Sequence, residues 1–290
     1  MSDSLRVTAP ASSANLGPGF DAMALALELR NEVVIDAAEG ASPQIDVTGE
    51  GADELRGGRD NLFLRAFAAG GGDPAGLRFR MLNRVPFARG LGSSAATIVA
   101  GLAAADAWSE HPSRDLLGIA AELEGHPDNV AAALNGGLTL AWAGPQGLSA
   151  IGFGAPEAGF VAVVPEQRLS TAQARAALPA EVPHADAVHT ATRAALLVAA
   201  LGSGDAELLR DALDDRLHEP YRAPLAPLLG TVRERCAADR GVYGVTLSGA
   251  GPSVLVWCEP GEETRVAAAL DVPGSSAMPL DVAGHGVSVD

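Results

Sequence analysis

Lysine is missing altogether from the 290 residues, so all 20 basic side chains are arginine. That excludes a phosphate site built on a P-loop lysine, and any phosphate must be met by arginine, backbone N–H groups or a metal ion. Cysteine is nearly missing as well. Cys236 and Cys258 are too few for a disulfide framework or a four-ligand metal site, which fits a protein of a reducing cytoplasm. Positive charge is scarce: the 36 acidic residues leave a net charge of -16, which argues against nucleic acid and membrane lipid as partners, because both select basic surfaces. Long apolar runs are lacking too. Val130 to Pro156 carries no charge, but Asn135, Gly136, Gly137, Pro145 and Gln146 interrupt it too often for a membrane helix, so it reads as core strands and turns. The opening MSDSLRVTAP contains no apolar core of signal-peptide length, and nothing in it points to export.

What is present is an ordinary globular composition, 48% hydrophobic, long enough for one large or two medium domains. Short β-like runs at Leu5–Thr8, Glu32–Ala37, Gln44–Thr48 and Leu77–Leu82 alternate with Ala/Leu-rich stretches that begin near Ser93, Ser113 and Asp186 and read as helices. The Gly- and Pro-rich stretch from Gly152 to Gly159 suggests a boundary near residue 155, hence halves of 1–155 and 156–290. In the second half, a strand at Gly159–Val164 is followed by helices to about Asp239. A strand pair at Gly244–Leu247 and Ser253–Cys258, a helix at Glu262–Leu270 and a last strand complete an α+β pattern.

Five segments carry the chemistry. Pro86-Phe87-Ala88-Arg89-Gly90-Leu91-Gly92-Ser93-Ser94-Ala95-Ala96 runs from a strand into a helix, so it presents free N–H groups at a positive helix end, as a phosphate cradle does. A glycine turn with a serine N-cap would read the same way. Pro10-Ala11-Ser12-Ser13-Ala14-Asn15-Leu16-Gly17-Pro18-Gly19-Phe20-Asp21 is, as structure alone, a turn-rich loop after Leu5–Thr8. Glu122-Leu123-Glu124-Gly125-His126-Pro127-Asp128-Asn129 gathers three carboxylates, an imidazole and an amide at a helix end; Leu116, Leu117, Ala120 and Leu123 form an apolar stripe that leaves Glu122 on its flank. A solvated acidic helix end is the competing account. Arg175 follows Thr171, which is placed to cap a helix, and Arg222 follows Pro220; either arginine could equally be an ordinary surface residue.

The loop PFARGLGSSAA resembles the ATP-binding motif of the superfamily named for galactokinase, homoserine kinase, mevalonate kinase and phosphomevalonate kinase, the GHMP kinases, which grip phosphates without a P-loop lysine. The amino-terminal segment and Leu247-Ser248-Gly249-Ala250-Gly251-Pro252-Ser253 resemble its other two motifs, so the likeness spans nearly the whole chain. The form P-A-S-S-A-N-L-G-P-G-F-D is similar to that of the homoserine kinases in this superfamily, with Ser12 where Thr is usual. E-G-H-P-D-N-V-A-A-A likewise has Ala132 where Pro is usual. The resemblance implies a two-domain fold, with a left-handed βαβ crossover in the amino-terminal half, a ferredoxin-like carboxy-terminal half and the active site between them. It implies ATP under Pro86–Ala96, Mg²⁺ held by Ser94 and Glu122 with Glu124 as the alternative, and His126, Asp128 and Asn129 around the reacting hydroxyl. It further implies L-homoserine between Asn15, Asp21, Thr171, Arg175 and Arg222, and a homodimer. Whether Asp128 acts as a base stays open. Rival readings are a sister kinase for another small alcohol and an inactive nucleotide-binding homologue.

Overall fold

In Leu77-Arg78-Phe79-Arg80-Met81 every second side chain is apolar, and the structure buries Leu77, Phe79 and Met81 while Arg78 and Arg80 stay in water. The same alternation returns in the second half of the long strand paired with it, where Asn31, Val33 and Ile35 are buried. The computed structural model describes residues 4–55, 61–108 and 115–290. Among them the strands are β1 (Ser4–Ala14), β2 (Met23–Ala37), β3 (Gln44–Gly49), β4 (Leu77–Asn83), β5 (Leu138–Gly144), β6 (Gly147–Gly152), β7 (Gly159–Pro165), β8 (Val242–Leu247), β9 (Val254–Cys258), β10 (Ser275–Pro279) and β11 (Ser288–Val289). The helices are α1 (Ala52–Leu55), α2 (Leu62–Ala69), α3 (Ser93–Trp108), α4 (Leu116–Glu124), α5 (Asp128–Asn135), α6 (Thr171–Ala176), α7 (His184–Ser203), α8 (Ala206–Ala212), α9 (Glu219–Arg222), α10 (Leu228–Cys236) and α11 (Glu263–Ala269).

The first sheet runs β11-β1-β2-β4-β3, with β5 also pairing β2 and carrying β6 on its other side. Its parallel pair is β3 with β4, joined through α1 and α2, which is the βαβ unit. Phe63 and Phe67 of α2 meet Phe79 of β4 edge to face, with ring centroids 5.5 Å apart in both pairs. Each fully buried ring of this kind contributes roughly 1.5–3 kcal/mol. Helix α3 is apolar almost all round and is buried accordingly, from Ala95 to Ala105.

The second sheet has the order β10-β7-β9-β8, antiparallel throughout. Taken in chain order, these strands stand fourth, first, third, second, and α11 lies between the third and the fourth, so this half is ferredoxin-like as expected. Its core is aliphatic, with Val161, Val163, Val254 and Val256 facing Leu229 and Val232 of α10. The last strand, β11, leaves this sheet and pairs Val7 and Thr8 of β1.

Two expectations change, and a third is not tested. β1 runs on to Ala14 and β2 begins at Met23 rather than Glu32, because Ser12, Ser13 and Ala14 find partners in Ala26, Leu25 and Ala24. The uncharged stretch after Val130 opens as helix α5, which Gly136 ends with φ 75°, before the strands β5 and β6 follow. The expected helix start at Ser113 lies outside the described residues, and α4 is seen from Leu116. Among the described residues no helix is long and apolar enough to cross a membrane.

Candidate active site

Three sequence segments close on one another at the head of α3. Ser12 N–H donates to the Leu91 carbonyl (3.1 Å), Ser248 Oγ donates to the Gly90 carbonyl (2.7 Å), and Asn15 Nδ2 donates to the Gly249 carbonyl (2.7 Å). Gly90 and Gly92 make this possible. Both have positive φ, and a Cβ would lie 2.4 Å from the Ser248 carbonyl oxygen at Gly90 and 2.1 Å from Ser12 Oγ at Gly92. Their first duty is therefore to let the motifs pack together. Of the loop, Pro86, Phe87, Ala88, Arg89, Gly90, Gly92, Ser93 and Ser94 line the cavity. Leu91, Ala95 and Ala96 do not; they are fully buried and pin the loop and the first turn of α3 to the core. The first turn of a helix leaves its N–H groups without intrahelical partners, so this wall suits an anion.

The structure separates the two glutamates at the end of α4. Glu122 is exposed and does not line the cavity, so it is placed away from the site; Glu124 lines it and accepts a 2.5 Å hydrogen bond from Ser94 Oγ. The reason is helical phase: Glu124 lies one turn beyond Ala120, the fully buried residue of the apolar stripe, whereas Glu122 follows the opposite side. Gly125, with φ 91°, then ends the helix and turns the chain back toward the cavity. Burial raises the Glu124 carboxyl above its ordinary value, against the pull of Ser94 and His126.

His126 Nδ1 stands 2.6 Å from Asp128 Oδ1, and its Nε2 is 3.9 Å from Glu124 Oε1. Burial works to lower the imidazole pKa, but the hydrogen bond and charge of Asp128, with the charge of Glu124, outweigh it and leave it raised. Asp128 Oδ1 also accepts the Asn129 N–H (2.6 Å), and Asn129 Oδ1 accepts from Ser12 Oγ (2.7 Å). Asn129 Nδ2 also donates to Asp128 Oδ1 at 3.4 Å, which leaves its second amide N–H for a ligand.

The remaining wall comes from both halves of the chain. Asn15 and Asp21 hold left-handed backbone, with φ of 70° and 55°, and Asn15 Oδ1 accepts the Asp21 N–H (3.0 Å). Arg175 grips Asp21 with both ends of its fork, at 3.0 and 2.8 Å, which raises the guanidinium pKa. Helix α6 presents it, capped by Ser170 in a capping box with Gln173; Thr171, expected as the cap, is the first helical residue and lines the cavity. Arg222 is 2% exposed and forms no ion pair among the described residues. Burial lowers its pKa. Glu219 of the same segment is structural: it accepts the Leu247 N–H (2.6 Å), pairs with Arg233 and so ties α9 to β8.

Every residue expected around ATP phosphates, metal and substrate thus meets at one cavity, except Glu122, Leu91, Ala95 and Ala96. Leu169, Ser170, Gly249, Ala250 and Gly251 also line it beyond the residues expected from sequence, the last three within the LSGAGPS motif.

Comparison with known proteins shows the family of the chain. The family model of the GHMP kinases N terminal domain matches residues 61–137, and that of the GHMP kinases C terminal matches residues 197–273. The chain belongs to the GHMP kinases. Within them it groups with homoserine kinases: it is 44% identical to the homoserine kinase of Streptomyces avermitilis, over 95% of this chain and 96% of that one. The homoserine kinase of Carboxydothermus hydrogenoformans is 43% identical over 88% and 86% of the two chains. The crystal structure of homoserine kinase from Cytophaga hutchinsonii superposes with a TM-score of 0.83 at 28% identity, covering 100% of this chain and 98% of that one.

Proposed function

We propose that the protein transfers the γ-phosphate of ATP to the side-chain hydroxyl of L-homoserine, giving O-phospho-L-homoserine, as a cytoplasmic step of threonine biosynthesis. The observation that carries this reading is Arg222: a buried guanidinium with no carboxylate partner among the described residues, lining the same cavity as the head of α3. A phosphate cradle alone fits any small-alcohol kinase of the family. A buried cation beside it asks for a substrate that brings its own carboxylate.

In this reading the first-turn N–H groups at Ser93 and Ser94 meet the phosphates, and Asn129 offers its amide to the hydroxyl, positioning it for in-line attack. Ser94 and Glu124 supply hard oxygen donors in contact with one another at the cavity wall, so they fit Mg²⁺ and would hold it together with phosphate oxygens and water. When bound, the ion neutralises charge on the transferring phosphoryl group. Asp128 is committed to His126 and to the Asn129 N–H, which supports a holding role over that of a free base. Asp21 takes the substrate ammonium once Arg175 is drawn to the carboxylate. The halves divide near residue 155, with β11 returned to the first sheet, and the exposed Trp142, Ile151 and Phe153 offer a homodimer an apolar face, for which sedimentation is the test.

An ADP-release assay with homoserine, serine, threonine and mevalonate tests the function. Homoserine should be preferred. Preference for mevalonate would make the chain a sister kinase, and ATP binding without ADP release from any alcohol would make it an inactive nucleotide-binding homologue.

A further inference from the structure

We infer that His218 is a positioning residue that aims Arg222 into the cavity without neutralising it; this rests on the amino-acid reading of the cavity above. His218 is fully buried just before α9. Its Nδ1 lies 3.3 Å from Arg222 Nη1, and its Nε2 lies 2.8 Å from the carbonyl oxygen of Gly17, in the amino-terminal motif. A guanidinium can only donate and a carbonyl can only accept. The two partners therefore select one form of the ring, neutral with its proton on Nε2, and Asp215 Oδ2 at 3.6 Å lies near that protonated edge.

The turn that carries the ring is fixed independently. Asp215 accepts the N–H groups of Leu217 (2.9 Å), His218 (2.8 Å) and Glu219 (2.8 Å). Phe20, three residues beyond Gly17, stacks on the imidazole with centroids 5.0 Å apart, and the Arg222 guanidinium carbon lies 5.1 Å from the same Phe20 ring. The other polar contacts of Arg222 are longer, 3.4 Å from Nε to the Ala174 carbonyl and 3.4 Å from Nη1 to the Gly249 carbonyl. Nη2 has no hydrogen-bond partner among the described residues, which leaves its N–H groups for an anion in the cavity. Arg175, by contrast, is already paired with Asp21. A neutral acceptor such as the His218 ring orients a guanidinium yet leaves its charge for the ligand, which a carboxylate in that place would not do.

Two amides dissect the ring. In His218→Asn the amide oxygen stands where Nδ1 stands and can still accept from Arg222; in His218→Gln the amide N–H₂ stands where Nε2 stands and can still donate to Gly17, but no acceptor faces Arg222. His218→Gln should raise KM for homoserine about tenfold with kcat and the KM for ATP near wild type, and His218→Asn should keep the homoserine KM within about threefold. Equal effects of the two, or effects on kcat or the ATP KM instead, would overturn the assignment. If neither variant folds, Phe20→Leu at a half-buried position decides: a selective rise in homoserine KM supports the arrangement, and an unchanged KM refutes it. Arg222→Ala separates the two levels. If it leaves the homoserine KM unchanged, the substrate reading falls and this inference with it; if it raises KM while the His218 pair does not, only the role of His218 falls.

Discussion

At the phosphate wall of the cavity, position is set by backbone: Gly90 and Gly92 are in van der Waals contact with neighbouring motifs, and Leu91, Ala95 and Ala96 are sealed in the core. At the substrate wall, position is set by side chains from both halves: Asp21 and Phe20 from one, Arg175, His218 and Arg222 from the other. The first wall is rigid because moving it means unpacking a core. The second is held by hydrogen bonds and one partly exposed ion pair, Arg175 and Asp21 being 37% and 36% exposed, so it can exchange internal partners for those of a ligand. A triphosphate presents the same groups whatever the acceptor, whereas substrate choice needs groups that can be released and recaptured.

The largest expected effect tests the phosphate wall. Glu124→Gln should lower kcat by a factor on the order of 10² or more while the fold survives, because it weakens the hold on the Mg²⁺ that would neutralise charge on the transferring phosphoryl group. Glu122→Gln should stay near wild type, since its side chain is in solvent. The reverse result in steady-state kinetics would move the metal back to Glu122.

Next comes the substrate wall. Arg222→Ala should cost about 1.5–3 kcal/mol, roughly 10- to 150-fold in kcat/KM for homoserine, with little change in the KM for ATP. Arg175→Ala should cost less, because it also frees Asp21 for the ammonium. If both variants weaken ATP instead, the two walls are not separate in function.

A third test asks whether the glycines of the loop serve packing. Gly90→Ala places a methyl 2.4 Å from backbone at Ser248, in a conformation with φ 77°, and should destabilise by about 2–4 kcal/mol in urea unfolding. Unchanged stability with lost ATP binding would show that closeness to the ligand alone requires glycine there.

The smallest effect concerns the thiols. Burial pushes Cys236 up to about 11 and Cys258 up to about 12, from an ordinary 9.0. The folded protein keeps thiol protons that the unfolded chain gives up, so their contribution is intact below pH 9.0 and is lost as pH rises through 11 and 12. Thermal melting between pH 8 and 11 should show the decline, and at pH 8 a thiol reagent should leave the native protein unmodified. Fast labelling of folded protein would refute the burial.

The loop, the amino-terminal motif and the LSGAGPS segment were legible because glycine, serine and proline at fixed spacing constrain backbone directly. Glu124 is legible in principle: it continues the stripe of Leu117 and Ala120 by whole turns, whereas Glu122 stands on the flank of that stripe. The helix at Asp128–Asn135 was hidden because an uncharged alanine-rich run suits strand and helix alike, and only its packing against β1, β2 and β5 decides. Sequence does not separate Ser170 from Thr171 because both can cap a helix, and the choice depends on which hydroxyl faces the Gln173 N–H.

By itself, the sequence determined the absence of a lysine-based phosphate site, the three motifs and hence the family, and the two arginines and one aspartate that suit a zwitterionic substrate. The tertiary structure decided which glutamate faces Ser94, that Arg175 is paired with Asp21 while Arg222 has no carboxylate, and that a histidine from the second half bridges Arg222 to Gly17. Motif identity is local, written in residues a few positions apart, whereas partner choice joins residues as far apart as Gly17 and His218, and that pairing exists only once both sheets have folded and docked.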